Sequence, residues 1–274
     1  MTFGARLREM MDERGPLCVG IDPHPGLLAA WGLGDDPVGL ERCALGVVEA
    51  LAGQVAVLKP QSAFFERHGS AGIAVLERAV SAARSAGALV LLDVKRGDIG
   101  STMQAYADAY VDPSSPLACD AVTASPYLGF GSLAPLIDTA RRHDAGVFVL
   151  ALTSNQEGPE VQHARTSQGT TVAASVLAKV RALNQGAAPM GSVGAVVGAT
   201  IGETGEDLAV GGPLLAPGVG EQGGTPADIR RVFARCLGYV LPSTSRDVLL
   251  AGPDPGRLSA RARMVADDMV TMVS

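Results

Sequence analysis

The stretch ALVLLDVKRGD, residues 88–98, is an apolar run that ends abruptly in charged side chains. A nearly continuous apolar run such as 88–94 is typical of a parallel strand in a sheet covered on both faces. The segment that precedes it, 71–86, carries apolar residues at helical spacing. The stretch therefore predicts a buried strand that follows a helix and brings charges to one edge of a sheet. Seven further apolar runs lie at 17–21, 55–58, 119–124, 146–152, 193–199, 213–216 and 238–241.

Apolar runs and amphipathic segments alternate along the whole chain. Strand followed by helix, repeated eight times without a break in composition, predicts an α/β fold, the (β/α)₈ TIM barrel. The length of 274 residues suits one such barrel, so we expect residues 1–274 to form a single domain. A doubly wound open sheet is the alternative, but eight strands in one uninterrupted series favour closure. Further helices are predicted at 40–51, 133–140, 172–183 and 229–234, with additional N- and C-terminal helices at 3–13 and 258–273.

The composition restricts the class of protein. The formal net charge is −6 and no run of Lys or Arg stands out, so the sequence indicates neither nucleic-acid binding nor binding to an anionic membrane. The N-terminus lacks the apolar segment of a secretory signal, and no apolar run is long enough to span a bilayer. The four cysteines and four histidines match no metal-binding spacing, which predicts buried free thiols and no metal. We therefore expect a cytoplasmic protein.

Polar side chains follow the predicted strands at their carboxyl ends, where barrels of this type place their chemistry. Asp93 and Lys95 are two residues apart, so both are expected on the same face of the third strand. Lys59 ends the second strand, and Asp98 follows the third. Opposite charges at the end of a buried strand are costly unless they are paired or used. The cluster predicts an active site, and the alternative is an ion-pair network that holds the two strands in register.

Two segments near the end of the chain predict a phosphate site. The stretch PGVGEQGG at 217–224 is dense in glycine, which lets the backbone approach an anion and point N–H groups at it. Arg246 follows the eighth strand at an apparent helix start, and arginine makes planar, two-pronged contacts to phosphate. Loops after the seventh and eighth strands commonly bind phosphate in this fold, although glycines also serve ordinary turns. The polar loop at 154–170, after the fifth strand, is a candidate lid.

These motifs together resemble the orotidine 5′-phosphate decarboxylase family. The stretch DVKRGD at 93–98 matches the family signature Asp-x-Lys-x-x-Asp. The resemblance extends over nearly the whole chain, and the full set of motifs in order makes it specific. The stretches GID (20–22), KPQSAFFE (59–66), TASPYLG (123–129) and PGVGEQGG (217–224) are similar to the longer bacterial branch of that family.

The resemblance implies an activity, an assembly and a role for each site residue. The activity is decarboxylation of orotidine 5′-phosphate to UMP without a cofactor, the last step of de novo pyrimidine nucleotide synthesis. The assembly is a homodimer with shared active sites, in which Asp98 and Thr102 reach the site of the partner subunit. The resemblance implies that Lys95 is the proton donor and that Asp93 lies beside the departing carboxylate. It implies that Lys59 and Asp22 contact the ribose and that Ser154 contacts the pyrimidine. In the loops after strands 7 and 8, Pro217 is implied to bind the substrate, and Gln222 and Arg246 are implied to bind its phosphate.

These residue types suit the implied chemistry. Loss of CO₂ leaves a carbanion at C6 with no adjacent electron sink, and nothing in the sequence looks like a cofactor site. An ammonium group among carboxylates stays protonated, stabilises the carbanion by its field and can then donate a proton. Three alternatives remain: a related sugar-phosphate synthase or decarboxylase that uses Mg²⁺, a Schiff-base aldolase, and a non-catalytic phosphate-binding barrel. The Schiff base needs a neutral lysine, which the aspartates beside Lys95 disfavour.

Overall fold

Eight parallel strands close into a barrel in the computed structural model, which describes residues 1–220 and 223–273. The strands follow one another around the barrel in chain order, and the last pairs with the first. The predicted (β/α)₈ barrel is therefore confirmed, and the open sheet is wrong. The strands are β1 (Cys18–Ile21), β2 (Val57–Pro60), β3 (Leu89–Arg96), β4 (Ala121–Ala124), β5 (Gly146–Leu152), β6 (Val193–Val197), β7 (Leu214–Pro217) and β8 (Val240–Thr244).

Most strands consist of buried aliphatic residues, because helices cover the outside of the barrel and side chains fill the inside. Strand β5 coincides with its predicted run. Strand β2 begins and ends two residues later than its predicted run at 55–58. The shift brings Lys59 inside the strand, where it pairs with Gly20 of β1.

The predicted additional helices at the two ends of the chain are confirmed as the first and last helices. The helix predicted at 172–183 coincides with the observed one. The helices are α1 (Phe3–Arg14), α2 (Pro25–Ala30), α3 (Pro37–Leu51), α4 (Ser62–Glu66), α5 (Gly69–Ser85), α6 (Gly100–Val111), α7 (Ala134–Arg142), α8 (Gly158–Gln162), α9 (Val172–Leu183), α10 (Pro226–Phe233), α11 (Arg246–Leu249) and α12 (Pro255–Val273).

Two connections differ from the predicted alternation of strand and helix. Residues 198–213, between β6 and β7, contain no helix, so the repeat of strand and helix is wrong at this point. Five of these residues are glycines and the stretch ends in Pro213, a composition that disfavours helix. The loop predicted at 154–170 is more ordered than expected, because α8 lies within it and Arg165 forms a bridge with Thr171.

The core has two layers, one inside the barrel and one between the strands and the outer helices. At the amino-terminal end of the barrel, α1 inserts Phe3, whose ring meets that of Phe148 edge-on with centroids 6.1 Å apart. Gly146 leaves room for this ring, since a Cβ at that position would lie 2.3 Å from Phe3. The first helix therefore closes the end of the barrel that lies away from the predicted site.

A buried ion cluster braces the same closed end. Asp120 lies directly before β4 and is 4% exposed. Its Oδ1 accepts a hydrogen bond from Arg6 Nη1 at 2.7 Å. Its Oδ2 accepts one from the Val90 amide at 3.0 Å and lies 3.4 Å from Arg84 Nε. Helices α1 and α5 are thereby tied to β3 and β4.

The single tryptophan joins the first and last βα connections. Trp31 follows α2, and its indole Nε1 donates a hydrogen bond to the Leu249 carbonyl of α11 at 2.9 Å. Gly252 packs so closely on the indole that a Cβ there would lie 2.2 Å from a ring carbon. The segment after β1 is thus anchored to the segment after β8.

All four cysteines are free and buried, as predicted. Burial raises the pKa of Cys18 and Cys236 to about 11 and the pKa of Cys43 and Cys119 to about 12. These thiols therefore stay protonated at neutral pH. Separately, none of the helices within 1–220 and 223–273 is both long enough and apolar enough to cross a bilayer.

Candidate active site

A cavity of about 330 Å³ opens at the carboxyl ends of the strands. It lies where the fold places its chemistry, opposite the end closed by α1. Seven of the residues predicted for the site line it: Asp22, Lys59, Asp93, Lys95, Ser154, Pro217 and Arg246.

Asp93 is the centre of a three-residue charge cluster on one side of this cavity. Its Oδ2 lies 3.3 Å from the Nζ of Lys59, and its Oδ1 lies 2.7 Å from the Nζ of Lys95. Lys59 and Asp93 are both buried, whereas the side chain of Lys95 is 46% exposed. The predicted meeting of these three side chains is confirmed. The Lys59 ammonium is buried in the wall of the cavity, and the Lys95 side chain is exposed to the cavity.

The cluster stays ionised because its members compensate one another. Burial alone would raise the pKa of Asp93, but the charges of Lys59 and Lys95 outweigh it. Hydrogen bonds from Lys95 and Thr123 add to their effect, and the pKa of Asp93 falls to about 2. Burial likewise opposes the charge on Lys59, yet Asp93 and then Asp22 raise the pKa of that lysine above its ordinary value. The site therefore holds a carboxylate between two ammonium groups at neutral pH.

Strand β3 does not present Asp93 and Lys95 by simple alternation. The register with β4 shifts between Leu92 and Arg96, and Lys95 has a positive φ of 46°. Left-handed backbone is uncommon for a residue other than glycine and costs roughly 1–2 kcal/mol. The two side chains meet, as their two-residue spacing predicts, but the bulged backbone on which they meet is not indicated by that spacing.

At the seam between β1 and β8, several buried polar atoms face the cavity. The Asp22 Oδ1, His24 Nε2, Thr244 Oγ1 and Ser245 Oγ atoms have no hydrogen-bond partner within the described part of the chain. His24 Nδ1 accepts from the Leu27 amide at 3.2 Å, so its neutral ring carries the proton on Nε2. Buried polar atoms without partners are costly, and a bound polar ligand would satisfy them.

Residues after β5 line the opposite side of the cavity. Ser154 lies there beside Thr153 and Asn155. The candidate lid is fastened to the strand end, because Gln162 of α8 accepts from the Thr153 amide at 2.9 Å and donates to its hydroxyl at 2.6 Å. The segment after β5 is therefore held in place by the side chain of Gln162 at the end of α8.

The glycine-dense segment after β7 forms a tight turn beside Arg246. Gly218, Gly220 and Gly223 all have positive φ. The amides of Gly220, Gly223 and Gly224 donate to carbonyls within the turn, so these three N–H groups serve the turn, not an anion. Gln222 lies outside the described residues. Arg246 is the first residue of α11, as its predicted position at a helix start requires.

Asp98 and Thr102 do not line the cavity. Asp98 is half-buried, and its Oδ1 accepts from the Ile99 amide at 2.8 Å. Thr102 is exposed in the first turn of α6. The apolar side chains of Ile99, Tyr127 and Leu128, on the loops after β3 and β4, are more than half exposed. Two of the predicted site residues therefore lie outside this cavity, and Ile99 beside Asp98 is an exposed apolar residue.

Several lining residues carry no role in the sequence prediction. Gln61, Phe64 and Thr123 line the cavity, and so does His24, whose ring lies against that of Phe64. Gln61 lies two residues beyond Lys59, a spacing that could have indicated it. Among residues 1–220 and 223–273, no group of three His, Cys, Asp or Glu side chains is arranged to hold a metal ion.

The amino-acid sequence is similar to one family of known proteins. A family model described as orotidine 5′-phosphate decarboxylase / HUMPS matches residues 15–260. An orotidine 5′-phosphate decarboxylase from a Nocardioides species is 68% identical over 258 residues, covering 93% of this chain and 94% of the relative. The Streptomyces coelicolor orotidine 5′-phosphate decarboxylase is 60% identical over 273 residues, covering 99% and 98% of the two chains.

Solved structures give the same result. A crystal structure from Streptomyces avermitilis matches with a TM-score of 0.98 at 59% identity and covers 99% of this chain and 96% of that one. The OMP decarboxylase of Leishmania donovani matches with a TM-score of 0.74 at 29% identity and covers 100% and 99%. The likeness therefore extends over nearly the full length of these relatives.

Proposed function

Because the chain belongs to the orotidine 5′-phosphate decarboxylase family and is a carboxy-lyase, we propose that it converts orotidine 5′-phosphate to UMP without a cofactor and that Lys95 protonates C6 of the pyrimidine. One observation carries the mechanistic part. The Lys95 ammonium is held 2.7 Å from Asp93 and is still 46% exposed at the cavity. It is therefore the charged proton donor of the cluster that a bound pyrimidine can meet.

The proposed step is a simple exchange of CO₂ for a proton. The bond between C6 and the carboxylate carbon breaks, its electron pair stays on C6, and CO₂ leaves. The nearby ammonium lowers the energy of the developing carbanion because it is fixed before the reaction and needs no reorganisation. One N–H of Lys95 then delivers its proton to C6 to give UMP, and Lys95 regains a proton from solvent.

Asp93 has two roles in this proposal. Its two oxygens engage Lys59 and Lys95 separately, so it positions both ammonium groups. A substrate carboxylate seated beside it is repelled, and the repulsion is relieved as CO₂ departs. Lys59 is buried and points at Asp93, which suits it to order the charges and contact the ribose.

The rest of the cavity divides naturally among the parts of the nucleotide. Arg246 and Gln222 bind the phosphate, and Pro217 contacts the substrate at the end of β7. Asp22 binds a ribose hydroxyl, and its unpartnered Oδ1 is available for that bond. Ser154, on the opposite side, contacts the amide edge of the pyrimidine. Phosphate binding far from C6 can then contribute to catalysis through closure of the site.

We further propose a homodimer in which Asp98 and Thr102 complete the site of the partner subunit. Both residues lie outside the cavity of their own subunit. Ile99, which adjoins Asp98, is an exposed apolar residue that such an interface would cover. The four buried thiols suit the reducing cytoplasm that we propose as its location.

The test is decarboxylation by metal-stripped protein. Loss of orotidylate absorbance should be followed after EDTA treatment, with the Lys95→Ala variant beside the parent. We expect full activity after EDTA, and no measurable turnover by Lys95→Ala, which should keep its fold and bind UMP. Activity that requires added Mg²⁺ would support the sugar-phosphate branch of the superfamily. UMP binding by the parent without release of CO₂ would support a non-catalytic barrel, and an unfolded Lys95→Ala protein would indicate a structural lysine.

A further inference from the structure

Thr123 lies on β4 directly opposite the bulge of β3. Leu92 pairs with Val122 of β4, and Arg96 pairs with Ala124. Residues 93–95 of β3 therefore lie opposite one residue of β4, Thr123. A bulge of this kind leaves backbone N–H groups without partners in the ladder.

The side chain of Thr123 supplies those partners. Its Oγ1 accepts from the Val94 amide at 3.1 Å and from the Lys95 amide at 2.9 Å. The same hydroxyl donates to Asp93 Oδ1 at 2.8 Å. A threonine hydroxyl has one proton to donate and two lone pairs, so its capacity is fully used. Thr123 is 1% exposed, which keeps water from replacing these bonds.

We infer that Thr123 is a positioning residue for Lys95: its hydroxyl holds the left-handed backbone that aims the ammonium at the substrate. The inference rests on the proposed role of Lys95 and deepens it. Lys95 has φ of 46°, a conformation that a lysine adopts only when its surroundings determine it. The bond to its amide fixes that backbone, and the bond to Asp93 fixes the carboxylate that receives its Nζ.

The geometry also explains why a threonine is suitable. A hydroxyl at this position contacts three consecutive residues, Asp93, Val94 and Lys95. Without it, the buried Val94 amide and the partly buried Lys95 amide would lose their partner, and β3 would relax toward a regular strand. Relaxation would remove the positive φ of Lys95 and so change the direction of its side chain relative to Asp93.

The test compares Thr123→Val, Thr123→Ala and Thr123→Ser. Valine keeps the shape and removes the hydroxyl, alanine removes both, and serine keeps the hydroxyl. We expect kcat to fall about 10²-fold in the valine and alanine variants, as for a misplaced catalytic group, with KM and the UMP dissociation constant changed less than about threefold. Serine should restore kcat to within about threefold of the parent. If valine prevents folding, the alanine and serine pair carries the same comparison.

Thr139→Val is a matched control on the outside of the barrel. Thr139 in α7 is also 1% exposed, and its hydroxyl also donates once, to the Pro135 carbonyl, and accepts twice, from Gln104 and Arg142. Its loss should lower thermal stability and leave kcat unchanged.

Three results would overturn the inference while leaving Lys95 as the proton donor: undiminished kcat in Thr123→Val, serine as impaired as valine, or an equal loss of kcat in Thr139→Val. If Lys95→Ala is itself active, the proposed function fails first. The two failures are thereby distinguished.

Discussion

The two ends of the barrel each hold a buried aspartate between two cations, and they use it differently. Asp120, at the closed end, lies between Arg6 and Arg84. Asp93, at the open end, lies between Lys59 and Lys95. Arginine stays charged and binds in a fixed fork, whereas lysine can release a proton. The same arrangement of charges therefore braces one end of the fold and, in the proposed mechanism, prepares chemistry at the other.

The surroundings of the two carboxylates sharpen the difference. Asp120 also accepts from the Val90 amide, so its contacts tie backbone to helices. Asp93 has its additional bond from Thr123, a side chain that also contacts the Lys95 amide. The contacts of Asp120 fasten elements together, and those of Asp93 orient one ammonium group. Charge alone does not tell the two apart, but the identity of the cation and the access to a cavity do.

Exchanging lysine for arginine, or arginine for lysine, should lower kcat only at the open end. Lys95→Arg keeps the positive charge and removes the transferable proton, so kcat should fall by roughly 10²–10⁴-fold. Arg84→Lys should leave kcat unchanged and cost no more than about 1 kcal/mol in the free energy of unfolding, since Arg84 is 45% exposed. Steady-state kinetics and urea denaturation of both variants measure the two effects. Comparable losses of kcat in both would show that the ends are not functionally distinct.

Removing the carboxylate from the closed end should cost stability and spare activity. Asp120→Ala leaves the Val90 amide and two arginines without their partner. We expect a loss of roughly 2–3 kcal/mol in unfolding free energy, below the value for a fully buried pair because both arginines reach solvent. The exposed pair of Asp12 with Arg8 provides the control, and Asp12→Ala should change stability by less than about 0.5 kcal/mol. A fall in kcat per folded molecule in Asp120→Ala would contradict the division of roles.

Acid should weaken the open end through Asp93. Its pKa is lowered from 3.8 to about 2, so the folded state favours the ionised form. That contribution is fully present above about pH 3.8 and is lost as the pH falls through about 2, amounting to roughly 2 kcal/mol. Urea denaturation of the parent and of Asp93→Asn between pH 5 and pH 2 should show this loss in the parent alone. Parallel curves for the two proteins would show that Asp93 is not held ionised by its lysines.

Much of the barrel and part of its site follow from local residue patterns. Strands such as β5 are predictable because burial on both faces requires an unbroken aliphatic run. Lys59, Asp93 and Lys95 could be expected to meet because parallel strands align their carboxyl ends at one end of the barrel. The buried free cysteines were predictable because their spacing matches no metal site.

The remaining features depend on contacts between distant segments. Thr123 sits in an apolar run and looks like any strand residue, and only the bulge in β3 gives its hydroxyl three partners. Between β6 and β7 the repeat of strand and helix fails, because this connection is rich in glycine, which disfavours helix. The roles of Asp98 and Thr102 in a partner site stay predictions, since they depend on a second copy of the chain.

Trp31 gives this barrel a built-in optical reporter. It is the chain's one tryptophan, and its indole is bonded to the carbonyl of Leu249 in the helix that Arg246 begins. Helix α2, which precedes Trp31, begins directly after His24. The indole therefore connects the two segments that meet at the β1–β8 seam. Emission from this ring therefore samples the corner where phosphate binding is proposed, without a dye or an added label.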